Sequence, residues 1–203
     1  MAVASQGVQT MRRLDTVEAD RDQWQRPERV LEGLQLKDGG VVVDLGCGAG
    51  YFALKLAQTV GRAGRVLAVD TQWSPLLFLK SRAFLRGQHN VSVIHGEPSD
   101  PHLSGQVVDA VLIVNTYHEL VDRESILNHV LGALKTGGRL VIADRGLEPG
   151  EGPGAQSAGH HGMPPASAEA DLRRKGLDIL TRQDRFADSP SKDQWWLIVA
   201  SKP

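Results

Sequence analysis

The sequence contains a single cysteine, few aromatic side chains and almost no net charge. Cys47 has no second cysteine with which to form an internal disulfide, so nothing points to an oxidising compartment. Aromatic residues make up 5% of the 203 residues, which leaves no obvious stacking platform for nucleobases. A formal net charge of −1 also argues against nucleic acid as the main partner. These absences favour a small molecule as the substrate.

Long hydrophobic runs and targeting patterns are absent as well. No apolar stretch approaches the roughly 20 residues that a membrane-spanning helix needs. Residues 1–10 lack the charged-then-apolar order of a secretory signal and have the character of a flexible polar lead-in. We therefore expect no membrane span and a cytoplasmic location.

Strand and helix patterns alternate along the chain with short gaps, which is typical of a parallel sheet covered by helices on both faces. One helix is predicted to begin at Pro27, a second to open with Ser74 and Pro75, and a third to be capped by Asp122. The predicted strands are residues 41–45, 65–69, 91–94, 107–114, 139–143, 177–186 and 195–201.

A glycine-rich turn gives the most specific functional signal. Residues 43–50 (VDLGCGAG) are an apolar strand that runs into three glycines and then into a helix. Glycine is needed where the backbone approaches a ligand closely at φ values that a Cβ disfavours. Asp70 ends the next strand, where a carboxylate can accept hydrogen bonds from both hydroxyls of a ribose. The pair predicts a nucleotide-type cofactor.

The spacing of the glycines separates two classes of cofactor. Dinucleotide-binding loops read G-x-G-x-x-G, with the third glycine inside the helix. Here the glycines are Gly46, Gly48 and Gly50, and Tyr51 stands where the dinucleotide glycine would be, so a pyrophosphate would be crowded. The pattern favours S-adenosylmethionine (SAM) over NAD, with the helix N–H groups facing the methionine carboxylate region.

Residues 41–144 resemble the core of the class I SAM-dependent methyltransferases, close to the group that includes the ubiquinone and menaquinone enzymes. Residues 44–50 match the first motif of that class, Asp70 its ribose-binding acid, and residues 134–140 (LKTGGRL) its L-K-P-G-G-x-L turn. The resemblance implies a Rossmann-like α/β fold, a three-layer sandwich around a seven-stranded sheet. It implies the strand order 3-2-1-4-5-7-6, in which strand 7 is antiparallel.

Two flanking segments, residues 21–28 (RDQWQRPE) and 161–165 (HGMPP), resemble a bacterial subgroup of small methyltransferases. With them the resemblance covers about three-quarters of the chain. The family holds adenine through an acid and the next backbone N–H. Here Glu97 supplies the acid, but Pro98 has no N–H, so either Ser99 donates that bond or the adenine sits differently. The predicted cofactor-binding residues are Asp44, Gly46, Cys47, Gly48, Gly50, Asp70, Thr71, Glu97, Pro98 and Asn115.

The segment after the fourth strand lies where open α/β sheets bind ligands. By resemblance, Asn115 lies beside the methionine part of SAM. His118 is the candidate catalytic base for a hydroxyl or protonated amine, since the reference pKa of histidine is near 6.5. The alternative is that His118 caps the following helix or bonds the backbone. Glu119 is expected to orient that imidazole, bind a cationic substrate or face solvent, and Tyr117 to form the pocket wall.

A Gly-, Pro- and His-rich stretch, residues 145–165, is too long for a simple connection. We expect it to be a mobile loop that closes over the acceptor together with residues 1–26, an N-terminal extension or lid on a single domain of residues 27–203. Trp24 and His161 are candidate substrate contacts, with core packing and a solvated loop position as the respective alternatives. The adjacent histidines of the loop lack metal-ligand spacing, so no metal is predicted.

The sequence thus predicts a SAM-dependent methyltransferase that releases S-adenosylhomocysteine (SAH) and acts on an unidentified small molecule. Two other classes stay open. A catalytically silent SAM-binding regulatory or partner subunit would have the same glycine loop and Asp70. A nicotinamide oxidoreductase is disfavoured by Tyr51. The sequence does not indicate the oligomeric state.

Overall fold

The computed structural model describes residues 2–147, 162–190 and 193–203, and only the backbone of residues 2–12 and 15. Helices and strands follow one another along these residues. Their order is α1 (Ala2–Gln25), α2 (Pro27–Leu34), β1 (Val41–Leu45), α3 (Tyr51–Thr59), β2 (Arg65–Asp70), α4 (Trp73–Leu85), β3 (Val91–His95), β4 (Val108–Val114), a 3₁₀ turn (Tyr117–Glu119), α5 (Arg123–Ala133), β5 (Leu134–Arg145), α6 (Pro165–Arg174), β6 (Asp178–Asp188) and β7 (Gln194–Ser201).

The strands form one seven-stranded sheet in the order β3-β2-β1-β4-β5-β7-β6. Strand β7 runs antiparallel to both of its neighbours, and the other described pairings are parallel. The predicted Rossmann-like α/β fold and its strand order are therefore confirmed. The order reverses between β1 and β4, and in open α/β sheets ligands bind beyond the carboxyl ends of the strands at such a point.

Burial on both faces of the sheet explains the run of three valines in β1. Val42 belongs to the apolar cluster that includes Phe52 of α3, whereas Val43 belongs to the cluster that includes Leu127 of α5 and Leu172 of α6. Successive strand side chains point to opposite faces, so a central strand with helices on both sides must be apolar at every position. The core is thus two apolar layers, one on each face of the sheet.

The prediction that residues 1–10 form a flexible lead-in is wrong, because α1 is one continuous helix from Ala2 to Gln25. Its sequence is mostly polar and shows no apolar stripe, which is why hydrophobic periodicity did not reveal it. Its second half is fixed by polar contacts, among them the ion pair of Glu18 with Arg82 at 2.7 Å. No helix in the described ranges combines the length and the apolar character that crossing a membrane requires.

Two other boundaries differ from the prediction. Helix α4 begins at Trp73 and has no side-chain cap, so Ser74 lies inside the first turn and does not cap the helix. Strand β5 begins at Leu134 instead of residue 139, because Leu134 already pairs with Val108 of β4. The ladder is irregular between this pair and the next, and Gly137 in that stretch has a φ of +75°. Asp122 caps α5 as predicted, and its carboxylate accepts from the Ser125 N–H at 3.0 Å.

The two ends of the predicted acceptor loop are joined to each other and to β7. The Met163 N–H donates to the Arg145 carbonyl at 2.9 Å. The Trp196 indole N–H donates to the carbonyls of both Arg145 and Met163, at 3.1 and 2.9 Å. Residues 148–161 lie outside the described residues, and with them the predicted substrate contact His161. The described residues on either side of this segment therefore lie together at one place on the sheet, beside β7.

Candidate cofactor and active site

The glycine-rich loop between β1 and α3 is fastened to the end of β2. The N–H groups of Gly46 and Cys47 both donate to the Val69 carbonyl, at 2.8 and 3.0 Å. Gly46 has a φ of +78°, and a Cβ there would lie 2.2 Å from the Thr116 hydroxyl. Gly48 has a φ of +50° and faces open space, with no heavy atom within 4 Å of a Cβ position. The loop is held at its start and leaves room for a ligand beside Gly48.

Asp70, the last residue of β2, ties its carboxylate to this loop. One oxygen accepts from the Gly48 N–H at 2.9 Å, and the other accepts from the Gln72 N–H at 2.9 Å. A carboxylate oxygen has more than one lone pair, so each can accept a further hydrogen bond. Asp70 therefore shapes the loop and is still able to bind hydroxyl groups.

Two adjoining cavities lie at the carboxyl ends of β1, β2 and β4. The first, named cavity A, has a volume of about 380 Å³. The second, named cavity B, has a volume of about 220 Å³ and shares Gly46, Asn115 and Thr116 with cavity A. Seven residues predicted to bind cofactor or substrate border cavity A: Gly46, Asp70, Thr71, Glu97, Pro98, Asn115 and Glu119.

Cavity B has two unpartnered oxygen atoms in its wall. Asp44 is 3% exposed, and within the described part of the chain its Oδ2 has no hydrogen-bond partner. The side-chain oxygen of Asn115 is likewise buried and unpartnered there, while its N–H donates to the Ala143 carbonyl at 2.9 Å. Buried polar atoms are rarely left unpaired, so the two oxygens are candidate acceptors for a hydrogen-bond donor or a cation.

Burial raises the pKa of Asp44 to about 7, because the charged form is poorly solvated. The hydrogen bond from the Ala53 N–H and the charge of Arg21 act in the opposite direction, and the charge of Asp70 adds to the increase. Asp44 can therefore gain or lose a proton near neutral pH, and a cation in cavity B would favour its charged form.

The N-terminal helix α1 forms the wall of cavity B that faces the glycine loop. Leu14, Val17, Glu18 and Arg21 border the cavity from this side. Helix α1 is fastened by the buried pair of Glu18 with Arg82, which also donates to the Ala49 carbonyl at 2.6 Å. The predicted N-terminal extension thus lies directly over the candidate cofactor site.

A second group of contacts fastens α1 to α3. Asp22 accepts a hydrogen bond of 2.6 Å from the Tyr51 hydroxyl and pairs with Lys55 at 2.7 Å. These bonds lower the pKa of Asp22 despite the opposing effect of burial, whereas burial and the Asp22 carboxylate raise that of Tyr51. Tyr51 is 6% exposed, so a side chain fills the position at which dinucleotide-binding loops have glycine.

His118 is held by Asp144 at the end of β5. The imidazole Nδ1 lies 2.7 Å from Oδ1 of Asp144, and the His118 N–H donates to Oδ2 at 3.0 Å. The side chains are 2% and 0% exposed. With the Nδ1 proton on the side of Asp144, Nε2 carries the lone pair, and Nε2 has no hydrogen-bond partner among the described residues. The side chain thus neither caps a helix nor bonds the backbone.

His118 itself does not border cavity A or cavity B. Its Nε2 lies 3.5 Å from Oε1 of Glu119, whose side chain is 63% exposed and borders cavity A. The imidazole therefore adjoins the rim of the cavity through Glu119, and the two side chains are close enough to exchange a proton after a small movement.

The other predicted residues have packing positions. Tyr117 is fully buried in the core, where its hydroxyl donates to Asp171 at 3.1 Å, so its ring does not form a wall of either cavity. Trp24 packs edge-on against Trp195 with ring centroids 5.4 Å apart, which corresponds to the core-packing alternative. Gly50 precedes α3 at a φ of +92°, and Leu79 occupies the space of a Cβ. Burial raises the pKa of the Cys47 thiol, which disfavours a reactive thiolate.

Three residues at or beside the site were not predicted from the sequence. Asp144 holds His118, and Arg21 and Glu18 border cavity B. Asp144 lies next to the last residue of β5, and the rule that ligands bind beyond strand carboxyl ends applies to it as it does to Asp70. Arg21 and Glu18 belong to the helix that had no readable pattern. No group of three potential metal ligands occurs within the described residues.

The fold, the glycine loop and the acid at the end of β2 together define a class I methyltransferase architecture. Residues 36–175 match the methyltransferase domain family. The match extends over well more than half of the chain, so the chain belongs to the methyltransferase domain family. The predicted class, the class I SAM-dependent methyltransferases, is confirmed, and SAM is the cofactor that this class implies.

Several known proteins are similar to the chain. The demethylmenaquinone methyltransferase of Staphylococcus saprophyticus is 26% identical over 117 residues, 58% of this chain and 49% of that protein. The 2-phytyl-1,4-naphtoquinone methyltransferase of Thermosynechococcus vestitus is 28% identical over 117 residues, with coverages of 58% and 51%. The solved structure of a SAM-dependent methyltransferase from Aquifex aeolicus has a TM-score of 0.70 and 25% identity, with coverages of 86% and 88%. The chain spans about half the length of the curated relatives.

Proposed function

We propose that the protein transfers the methyl group of SAM to a small molecule. The observation that carries the proposal is the pair of buried, unpartnered oxygens of Asp44 and Asn115 in cavity B, beside the open space at Gly48. A ligand with an ammonium group satisfies both oxygens, and the methionine end of SAM has one. The residues of the site therefore fit the cofactor.

Cavity A suits the adenosine part. Asp70 has lone pairs available for ribose hydroxyls, and Glu97 is 65% exposed at the same cavity, where its carboxylate can accept from an amino group. Thr71 and Pro98 also border this cavity, and Pro98 itself has no N–H to donate to the adenine ring.

The bound cofactor supplies a methyl group on a positively charged sulfur, which an in-line nucleophile displaces. Protein groups contribute by holding the reacting atoms and excluding water. For a hydroxyl or protonated amine acceptor, the proton passes to Nε2 of His118 through Glu119, which borders cavity A, and Asp144 fixes the ring and stabilises its charged form. Asp144 is thus a positioning residue.

A small-molecule acceptor is supported by two facts. The two cavities, of about 380 and 220 Å³, have the dimensions of small-ligand sites. Two of the curated relatives are named for quinone substrates, which are small molecules. Tyr51 at the dinucleotide glycine position also supports a SAM-dependent enzyme over a nicotinamide oxidoreductase.

Incubation with methyl-labelled SAM tests the activity. The label is expected to enter the ultrafiltered metabolite fraction of a cell extract, with stoichiometric release of SAH, and not the protein or RNA fraction. Label in a macromolecule would contradict the acceptor class. Tight SAH binding without turnover on any fraction would instead favour the silent SAM-binding subunit.

A further inference from the structure

Cavity B is bordered by groups of opposite charge. The glycine-loop side contributes the Asp44 carboxylate and the Asn115 oxygen, and α1 contributes the Arg21 guanidinium. An α-amino acid has an ammonium and a carboxylate on one carbon, and it requires a partner of each sign. The unpartnered oxygens account for the ammonium only, so the partner of the carboxylate must come from another wall.

Arg21 has donors available for this role. Its Nε donates to the side-chain oxygen of Gln25 at 2.8 Å, and its guanidinium carbon lies 3.9 Å from the centre of the Tyr51 ring. No acceptor in the described part of the chain bonds to its two Nη groups. A guanidinium whose plane is fixed and whose Nη groups are free is suited to bidentate recognition of a carboxylate.

Neighbouring side chains fix the Arg21 group in place. The Tyr51 ring that supports the guanidinium is itself held by Asp22, at 2.6 Å. The Gln25 side chain that accepts from Nε is fully buried. Burial lowers the pKa of Arg21, and the surrounding carboxylates act against this, so the group stays charged in a poorly solvated place. An anion bound in cavity B would replace the water contacts that the Arg21 guanidinium loses through burial.

We propose that Arg21 binds the carboxylate of the methionine end of SAM and SAH, so that α1 contributes one of the residues that recognise the amino-acid end of the cofactor. This inference rests on the proposed function. It assigns cavity B to the methionine end, with Arg21 and Asp44 as the two charged partners. Because Arg21 belongs to α1, the ligand carboxylate becomes one more contact that holds α1 over the site.

The test is a calorimetric binding cycle at pH 8, where Asp44 is ionised. The ligands are SAH and its decarboxylated analogue, S-adenosyl-3-thiopropylamine. The proteins are the wild type, Arg21→Met, Arg21→Lys and the control Arg13→Met, which alters an exposed arginine on the same helix. Thermal melting of each variant verifies that it is folded.

For Arg21→Met we expect SAH to bind roughly tenfold or more weakly, and the analogue to change by less than about twofold. Arg21→Lys should be intermediate, because lysine keeps the charge but not the bidentate geometry. Arg13→Met should bind like the wild type. The wild type should itself bind the analogue more weakly than SAH, which tests the inference without any variant.

Equal weakening of both ligands in Arg21→Met would make Arg21 a packing residue and overturn the inference. Equal affinity of the wild type for the two ligands would overturn it as well. If the wild type bound neither ligand, the proposed function would fail, and that result differs from a wild type that binds SAH but ignores its carboxylate.

Discussion

Replacement of His118 by Gln lowers kcat by roughly 100-fold or more and leaves SAH affinity near the wild-type value. The physical reason is the lone pair on Nε2, which is set by the contact of Nδ1 with Asp144 at 2.7 Å. Glutamine can hydrogen-bond at this position but cannot accept a proton near neutral pH. The result applies to a hydroxyl or protonated amine acceptor, and steady-state kinetics with the identified acceptor measure it.

Asp144→Asn separates a positioning role from simple packing. The amide keeps the size of the carboxylate but cannot stabilise the imidazolium, so kcat falls and the pH–rate profile loses or shifts its ascending limb. A variant that altered only packing would lower thermal stability and leave the profile in place. His129→Gln, at a partly exposed position on α5, is the matched control. Full kcat in folded His118→Gln would show that positioning of the reactants alone carries the catalysis.

SAH affinity rises steeply with pH, by roughly 100-fold between pH 5 and pH 8. Burial raises the pKa of Asp44 to about 7 in the free protein, so this carboxyl is protonated at low pH. The ammonium of the ligand binds the ionised form, so binding releases a proton below pH 7. The affinity then changes about tenfold per pH unit below pH 7 and levels off above it.

Calorimetry in buffers of different ionisation enthalpy measures the released proton directly. Asp44→Asn should bind SAH with little dependence on pH and more weakly than the wild type at pH 8. The raised pKa of Asp44 also makes the stability of the folded protein depend on pH. A raised folded-state pKa adds stability at acid pH, and that stability is lost as the pH rises from the unfolded value of 3.8 through about 7. A pH-independent SAH affinity in the wild type would contradict the role of Asp44.

The fold was predictable because its signals are local. The valines of β1 indicate a strand buried on both faces, and the apolar positions of the helices repeat at helical spacing. Asp122 at the start of α5 is a cap that can be read from the sequence, and the structure shows it accepting from the Ser125 N–H. Each of these features depends on residues within a few positions of one another.

Helix α1 was not predictable in this way, because long-range polar contacts stabilise it. Glu18 pairs with Arg82, which is 64 positions further along the chain, and Asp22 bonds to Tyr51, which is 29 positions away. No periodicity inside α1 reveals these partners. The wall of cavity B that contains Arg21 was missed for the same reason.

The candidate site was predictable where a motif fixes it. The glycine loop and Asp70 are joined by a hydrogen bond of 2.9 Å, and both border the predicted place at the strand ends. The segment after β4 was harder to interpret, since alternate residues point in different directions. Asn115 faces the cavities, whereas Tyr117 is buried in the core. Only the three-dimensional turn decides which of them reaches a ligand.

Titration calorimetry with SAH and with NADH shows whether the glycine loop and Asp70 form a SAM site. We expect the wild type to bind one SAH per chain and not to bind NADH. Asp70→Ala should lower SAH affinity at least about tenfold, and Asp70→Asn, which keeps one acceptor oxygen, should lie between the two. Unchanged SAH affinity in folded Asp70→Ala, or saturable binding of NADH in place of SAH, would contradict the assignment of a SAM site.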